Sequence, residues 1–371
     1  MSKAAELAAL IANVNKGSSL GSKNLVINGA MNVSQRGTSS TGITASGYRN
    51  APDRFRPSIG TAGTWTISQS TDVPTGEGFA HSYKFDCTTA DASLAVGDDM
   101  ALQYRFEGQD VQMLKKGTSS AVPVTVSFWV KSTKTGTFIL ELMDNDNARE
   151  ISKSYTVSSS NTWEYKTVTF EGDTTGALDD DNARSLTLQW WLAAGTNWTS
   201  GTLNTSWSDP ATANRVVGQV NIADSTSNDW LLTGVQFEIG EKATEFEHEP
   251  YEATLKKCQR YCEVHALNSY THMGFSYSVA QFIIPYYWKV EKRAAPTFTF
   301  PTVGTSSGSL GVTDATGNYP STHGSVLRGT AQTTQGYVYN NADDGYSGLT
   351  DDGNCALYGN NLPSLTLDAE L

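Results

Sequence analysis

From residue 24 onward the chain alternates apolar and polar side chains in short runs, the period-2 pattern of strands that bury one face. Nine runs stand out, at 65–69, 80–86, 100–106, 124–131, 138–143, 151–157, 163–170, 185–193 and 230–239. In VTVSFWV, Val124, Val126, Phe128 and Val130 point to one side, and Thr125, Ser127 and Trp129 to the other. The run at 185–193 repeats the logic, with Leu186, Leu188, Trp190 and Leu192 inward against Thr187, Gln189 and Trp191. Strands at this spacing, separated by turn clusters, predict an all-β sandwich or barrel. No fixed-period repeat points to a propeller or solenoid.

Two segments break the pattern. Residues 4–14 carry Leu7, Leu10, Ile11 and Val14 among alanines, which is helical spacing. A helix this short is marginal alone in water. It packs either on its own chain or as an oligomerisation or anchoring helix, and the linker KGSSLGS that follows favours the second. The run at 230–239 sets Leu231, Thr233, Val235, Phe237 and Ile239 on one face, with Trp230, Leu232, Gln236 and Glu238 on the other. It turns at Gly240, passes Pro250 and enters a helix expected over 252–262. Three parts are therefore expected: a helix and linker at 1–22, a main domain at 23–250, and a short helix with a smaller β-rich domain at 251–371. Strands in the last part are expected at 282–289, 297–300, 336–340 and 365–367, interrupted by a long loop at 304–320.

Composition narrows the class. Charged residues make up 17% of the chain, below the roughly 25% usual for soluble domains, and Thr, Ser, Gly and Asn take their place. Such a surface fits all-β extracellular and virion proteins. The 26 Lys and Arg against 38 Asp and Glu give a net charge of -12, and no run of cations appears along the chain. Nucleic acid and anionic membrane are poor partners for it. No stretch is long and apolar enough for a membrane span, so no membrane insertion is expected. The opening segment, with a single early Lys and with Glu6 inside its apolar run, does not resemble a secretory signal. Export by lysis or by a dedicated machine is the expectation. Cys87, Cys258, Cys262 and Cys355 are too few and too irregular for a disulfide framework, which fits folding in a reducing cytoplasm.

Candidate chemistry is sparse. Sugar recognition needs aromatic faces beside hydrogen-bonding side chains. The loop at 195–207 offers Trp198 and Trp207 among Asn197 and Asn204, and the outward-facing Trp129 and Trp191 extend the set. The alternative is that these rings pack under loops or at a subunit interface. The acidic runs DNDN at 144–147 and DDDN at 179–182 present oxygen ligands, yet neither has EF-hand spacing. They are expected to be solvated turns, and calcium, like any other cofactor, is not expected. Cys258, Cys262 and His265 fall at i, i+4 and i+7 of the expected helix, too few for a structural zinc site. GTSSG at 304–308 matches a nucleophile elbow by letters only, lacking its strand–turn–helix setting. No pattern pairs two carboxylates, so no catalytic residue is assigned.

Several phrases in fixed order resemble a family of tailed-phage virion or tail fibre proteins with a carbohydrate-binding-module-like jelly roll. They are NLVINGAMNVSQRG at 24–37, DRF at 53–55, VSFWVK at 126–131, LLTGVQFEIG at 231–240, TEFEH at 244–248 and CQRY at 258–261. The opening MSKAAELAALI resembles those of phages of marine bacteria, and RAAP at 293–296 and DAEL at 368–371 extend the likeness weakly. The resemblance implies a jelly-roll sandwich and a passive structural or adhesive role in a virion assembled in the host cytoplasm. It implies a homotrimer that contacts other virion proteins and a host cell-surface glycan. Tail fibre, appendage base and capsid decoration all remain open, and a glycan depolymerase is the alternative from another class.

Overall fold

The computed structural model describes residues 23–267 and, beyond them, 272–278, 280–301, 310–314, 328–340, 344, 349, 353–359 and 364–371. The expected anchor helix, with Leu7, Leu10, Ile11 and Val14, and the GTSSG match at 304–308 lie outside the described residues.

All nine expected strands form. In chain order they are β2 (Phe55–Ser70), β3 (Ser82–Thr89), β4 (Asp99–Glu107), β5 (Val124–Ser132), β6 (Gly136–Asp144), β7 (Arg149–Val157), β8 (Glu164–Phe170), β9 (Arg184–Ala194) and β10 (Asp229–Ile239), after an additional β1 (Ser39–Ala45). The hydrogen-bonded order is β7-β6-β9-β4-β2-β3-β10-β5-β8, with β1 on β2. One strand makes this a sandwich. The first half of β2 pairs with β4 and the second half with β3, and Thr61 and Gly63 between them have φ of 66° and 73°. The ladder folds over at that bend and its halves meet face to face. Phe128 of β5 packs edge-on against Trp190 of β9 at 5.8 Å, and Phe106 of β4 lies 4.9 Å from Phe237 of β10. The result is a jelly-roll-type sandwich. Val124, Val126, Phe128, Val130, Leu186, Leu188, Trp190 and Leu192 all enter its core, as the alternation requires.

The alternation expected for 230–239 does not hold throughout. Trp230 and Leu232 face the core, and so do Val235 and Phe237. The phase flips because the β10–β5 register slips between Thr233 and Gln236, where Gly234 adopts φ of 62°. An extra residue at a bulge moves every later side chain to the other face.

Beyond the sandwich come α2 (Tyr251–Gln259), β11 (Cys262–Ala266), β12 (His272–Ser278), β13 (Gln281–Tyr287), β14 (Thr297–Thr299), β15 (Leu310–Asp314), β16 (Arg328–Ala331), β17 (Gln335–Tyr339), β18 (Gly353–Gly359) and β19 (Ser364–Asp368). They build a three-stranded sheet, β11-β19-β14, and a six-stranded one, β15-β18-β12-β13-β17-β16. Phe282, Ile284, Tyr286, Val338, Leu357, Leu365 and Leu367 share their core. Two expectations are corrected. The helix stops at Gln259, and Cys262 and His265 belong to β11, paired with β19, so Cys258, Cys262 and His265 share no helical face. The expected loop at 304–320 contains β15, whose backbone groups pair with β18.

Candidate functional site

Those of the virion-family phrases that lie among the described residues are brought together, and what they build is structural. The bulge in β10 displaces Val235 from the ladder with β5. The 24–37 segment supplies its partners instead: Val235 N–H donates to the Gly29 carbonyl at 2.9 Å, and Asn24 Nδ2 donates to the Val235 carbonyl at 3.0 Å. A Cβ on Gly29 would lie 2.0 Å from the Val235 carbonyl oxygen, so only glycine allows this approach. On the outer face, Gln236 and Glu238 hold 244–247, with Glu238 accepting from Thr244 N–H at 2.8 Å and Gln236 from Glu247 N–H at 2.8 Å.

DRF, CQRY and DAEL meet in one buried joint between the sandwich and the C-terminal part. Arg54, 1% exposed, pairs with Glu370 at 2.5 Å and lies 3.3 Å over the ring of Tyr261. Arg36 reaches Asp368 at 3.0 Å and Glu370 at 3.4 Å. Gln35 Nε2 bridges Asp53 and the Cys262 carbonyl, each at 2.7 Å. Burial pushes the Asp53 carboxyl up to about 6 against the pull of Arg36. The same burial raises the Cys258 and Cys262 thiols well above their ordinary values, which makes them inert packing groups.

The four tryptophans singled out from the sequence go to different places. Trp191 faces out of its sheet, as expected, but is only 2% exposed because the 195–220 segment covers it. Trp198, on the helical turn α1 (Thr196–Thr199), packs on Trp191 at 5.3 Å, and the Arg215 guanidinium sits over both rings. Trp207 packs against the main core instead and donates Nε1–H to the Glu171 carbonyl at 2.7 Å. Asn197 is exposed, whereas Asn204 donates to Glu150 at 2.7 Å. Trp198 and Trp207 therefore present no common face.

Under the 195–220 cover lies a carboxylate pair that no sequence pattern revealed. Glu141 of β6 and Glu150 of β7 are both fully buried. Arg215 Nε lies 2.7 Å from Glu141 and 2.8 Å from Glu150, and Trp191 Nε1 donates to Glu141 at 2.7 Å. Burial and the neighbouring Glu141 push Glu150 up to about 8. A closed pair bridged by arginine offers no cleft to a substrate. Of the two acidic turns, 179–182 is exposed, as expected of a solvated turn, and 144–147 is closed at Asp144. The Lys116 ammonium occupies the oxygen cage at 144–147, 2.5 Å from Asp144, 3.0 Å from Asp173 and within 2.9 Å of the Thr175 and Gly176 carbonyls.

The accessible aromatic surface is elsewhere, on the outer face of β5, β8 and β10. Trp129, half-buried, stands 5.4 Å from Tyr165, which is 44% exposed. Phe79 lies beside Trp129 because Gly234 has no side chain: a Cβ there would be 2.7 Å from the Phe79 ring and 3.1 Å from that of Trp129. Phe79 continues to Phe246 at 5.0 Å and His248 at 5.2 Å. His248, Asn28, Asn32 and Thr254 then line a shallow polar hollow. Of the expected sugar-contacting residues, Trp129 belongs to this surface. Phe79, Tyr165 and Phe246 were missed because they join it only through pairing and the bulge.

No protein-family model matches the chain, and no curated protein matches it. Among solved structures it is similar to the enzymatically active domain of tailspike protein 4 of bacteriophage CBA120, at 12% identity and a TM-score of 0.31, covering 59% of this chain and 22% of that one. A family 61 carbohydrate-binding module in complex with β-1,4-galactotriose is similar at 9% identity and a TM-score of 0.30, covering 60% of this chain and all of the module. The family 11 module of a Clostridium thermocellum cellulosomal cellulase is similar at 12% identity and a TM-score of 0.25, covering 58% and 99%. These likenesses are too distant to assign a ligand or an activity here.

Proposed function

We propose that this chain is a non-enzymatic structural protein of a phage virion, a tail fibre or appendage component that attaches to host-surface glycan as a homotrimer. The observation that carries this reading is the aromatic surface of half-buried Trp129 and Phe79 with exposed Tyr165, on the outer face of β5, β8 and β10 and bordered by a polar hollow. Pyranose C–H faces pack on such rings while neighbouring polar groups take the hydroxyls. The family resemblance of the chain supports the virion setting. In this reading 23–250 carries the ligand surface and 251–371 serves assembly. The exposed apolar side chains of Met273, Phe275, Ile283, Tyr287 and Tyr337 on β12, β13 and β17 give copies of the chain, or other virion proteins, a surface to cover. A capsid-decoration role uses that assembly face and leaves the aromatic face idle.

The test is capture of the full chain on an array of host-surface glycans, with Trp129→Ala and Tyr165→Ala as variants. Losing one stacked ring costs on the order of 1 kcal/mol per site, roughly five- to tenfold in affinity, and more where several sites engage together. Glycan capture that neither substitution weakens would refute the site. Antibody label spread over the capsid of intact particles, in place of the tail, would move the protein to decoration.

A further inference from the structure

The chain shows no cationic run, but its topology makes a cationic cluster. Arg56 of β2 pairs across from Gln103 of β4, which pairs across from Gln189 of β9. These residues stand on the outer face of one sheet, and Arg105 is two positions along β4 on the same side. Arg184 enters the same sheet at the β4–β9 end, opposite Glu107, and Arg49 lies on the segment leading into β2. One side chain positions the centre: Gln103 Oε1 accepts from Arg56 at 3.3 Å and from Arg105 at 2.9 Å, while its amide donates to Gln189 at 3.0 Å.

Three of these guanidiniums, Arg49, Arg56 and Arg184, are left without a carboxylate in a chain with an acidic excess. Arg36, Arg54, Arg149, Arg215, Arg260 and Arg328 each have a carboxylate within 4 Å. Arg49, Arg56 and Arg184 have none among the described residues. Arg49 donates to the Ala45 and Ser46 carbonyls, and Arg105 donates to the α-carboxyl oxygen of Leu371 at 2.5 Å, so its charge is met on that side. The nearby Glu370 is engaged by Arg54 and Arg36. Three buried polar atoms in this cluster lack a partner: Arg49 Nε, Arg105 Nε and the Tyr48 hydroxyl. The cations also disfavour one another. Burial first, then Arg56 and Arg184, push the Arg105 guanidinium down to about 10, with Tyr48 and Glu370 pulling the other way. Arg56 is lowered by burial and by Arg184 and Arg49, against Tyr48.

We propose that the Arg49–Arg56–Arg105–Arg184 cluster, centred on Gln103, is a binding site for the carboxylate or sulfate groups of an acidic polysaccharide. Guanidinium forks pair bidentately with planar carboxylates and sulfate oxygens, and an anion there satisfies the unpartnered donors and relieves the mutual repulsion. Gln103 and Ser58, half-buried on the same sheet, offer hydrogen bonds to sugar hydroxyls. A polyphosphate is a poorer fit. Nucleic-acid affinity comes from neutralising many phosphates along a track, and the net charge of -12 opposes that approach. The choice of a sugar as carrier rests on the glycan-attachment reading; the anion site rests on its own geometry.

The experiment measures retention of the full chain on immobilised dextran sulfate, with unmodified dextran and duplex DNA as comparison surfaces. The chain is expected to bind dextran sulfate, to ignore dextran, and to bind DNA at least tenfold more weakly at moderate salt. Arg56→Gln with Arg184→Gln is expected to weaken dextran sulfate binding at least tenfold. Arg184→Gln alone, at an exposed position, is expected to weaken it severalfold and to preserve the unfolding midpoint. Lys256→Gln, which removes an exposed cation outside the cluster, is expected to leave it unchanged. Dextran sulfate binding that survives both arginine substitutions overturns the site, and DNA bound as tightly and lost in the same variants overturns the sugar assignment. Failure of the attachment reading shows separately, as host-glycan capture insensitive to Trp129→Ala.

Discussion

Replacing Glu370 by Gln tests the joint most directly. The change keeps the shape of the side chain and removes its charge, leaving Arg54 buried at 1% exposure without a carboxylate within 4 Å among the described residues. Breaking a buried ion pair from one side costs about 3–5 kcal/mol, because the remaining charge has lost both water and its partner. Solvent screening does not discount this, since the Arg54 and Glu370 side chains are 1% and 3% exposed. The lower end applies, as Arg54 retains the Arg105 carbonyl at 2.9 Å and the Tyr261 ring. A loss of about 3 kcal/mol is therefore expected. Arg54→Met combined with Glu370→Met removes both charges and is expected to cost less than the two single changes together, with a coupling of about 2 kcal/mol or more. Urea unfolding followed by near-ultraviolet circular dichroism gives the free energies. Limited proteolysis shows whether the C-terminal part loosens first. A cost below about 1 kcal/mol for Glu370→Gln, or strict additivity in the cycle, would refute the reasoning.

Two further changes probe other features. Gly29→Ala forces a Cβ against the Val235 carbonyl, 2.0 Å away, and is expected to cost about 2–3 kcal/mol in thermal unfolding, while Gly76→Ala, with open space around it, costs about 1; equal effects would show that the lacing of 24–37 onto β10 matters little. Glu150 has its folded value raised from 4.5 to about 8, so its protonated form favours the fold and that contribution is lost as pH rises through this window. The unfolding temperature is accordingly expected to fall between pH 5 and pH 8.5, with Glu150→Gln flattening that slope; a slope unchanged in the variant would assign it to other groups.

The strands were legible because their burial is one-sided: Val124 to Val130 and Leu186 to Leu192 alternate without interruption. The alternation failed at Gly234, where a bulge reverses the phase, and bulges leave only a glycine as a trace. β1 was missed because SSTGITA lies largely exposed at an edge and has no apolar face to betray it. Outward positions proved the least legible. Thr187, Gln189 and Trp191 point away from the core as expected, yet all are buried, Trp191 beneath the 195–220 segment. Whether an outward side chain meets water is decided by distant segments, and those leave no periodic mark. The arginine cluster escaped notice for the same reason, its members being more than 130 positions apart from first to last. Motif phrases, by contrast, marked the joint faithfully without disclosing that it was a joint.

That joint has a kinetic consequence. Arg54 and its partner Glu370 are 316 positions apart, and Gln35 reaches the Cys262 carbonyl across 227. During synthesis the sandwich strands are complete long before Glu370 is available, so Arg54 spends that interval without its carboxylate partner. Contacts of such long separation form late, after shorter loops have closed. Docking of the tail is thus a late event of folding, and a chain that has not reached it carries an open, charged flank where the finished one is sealed.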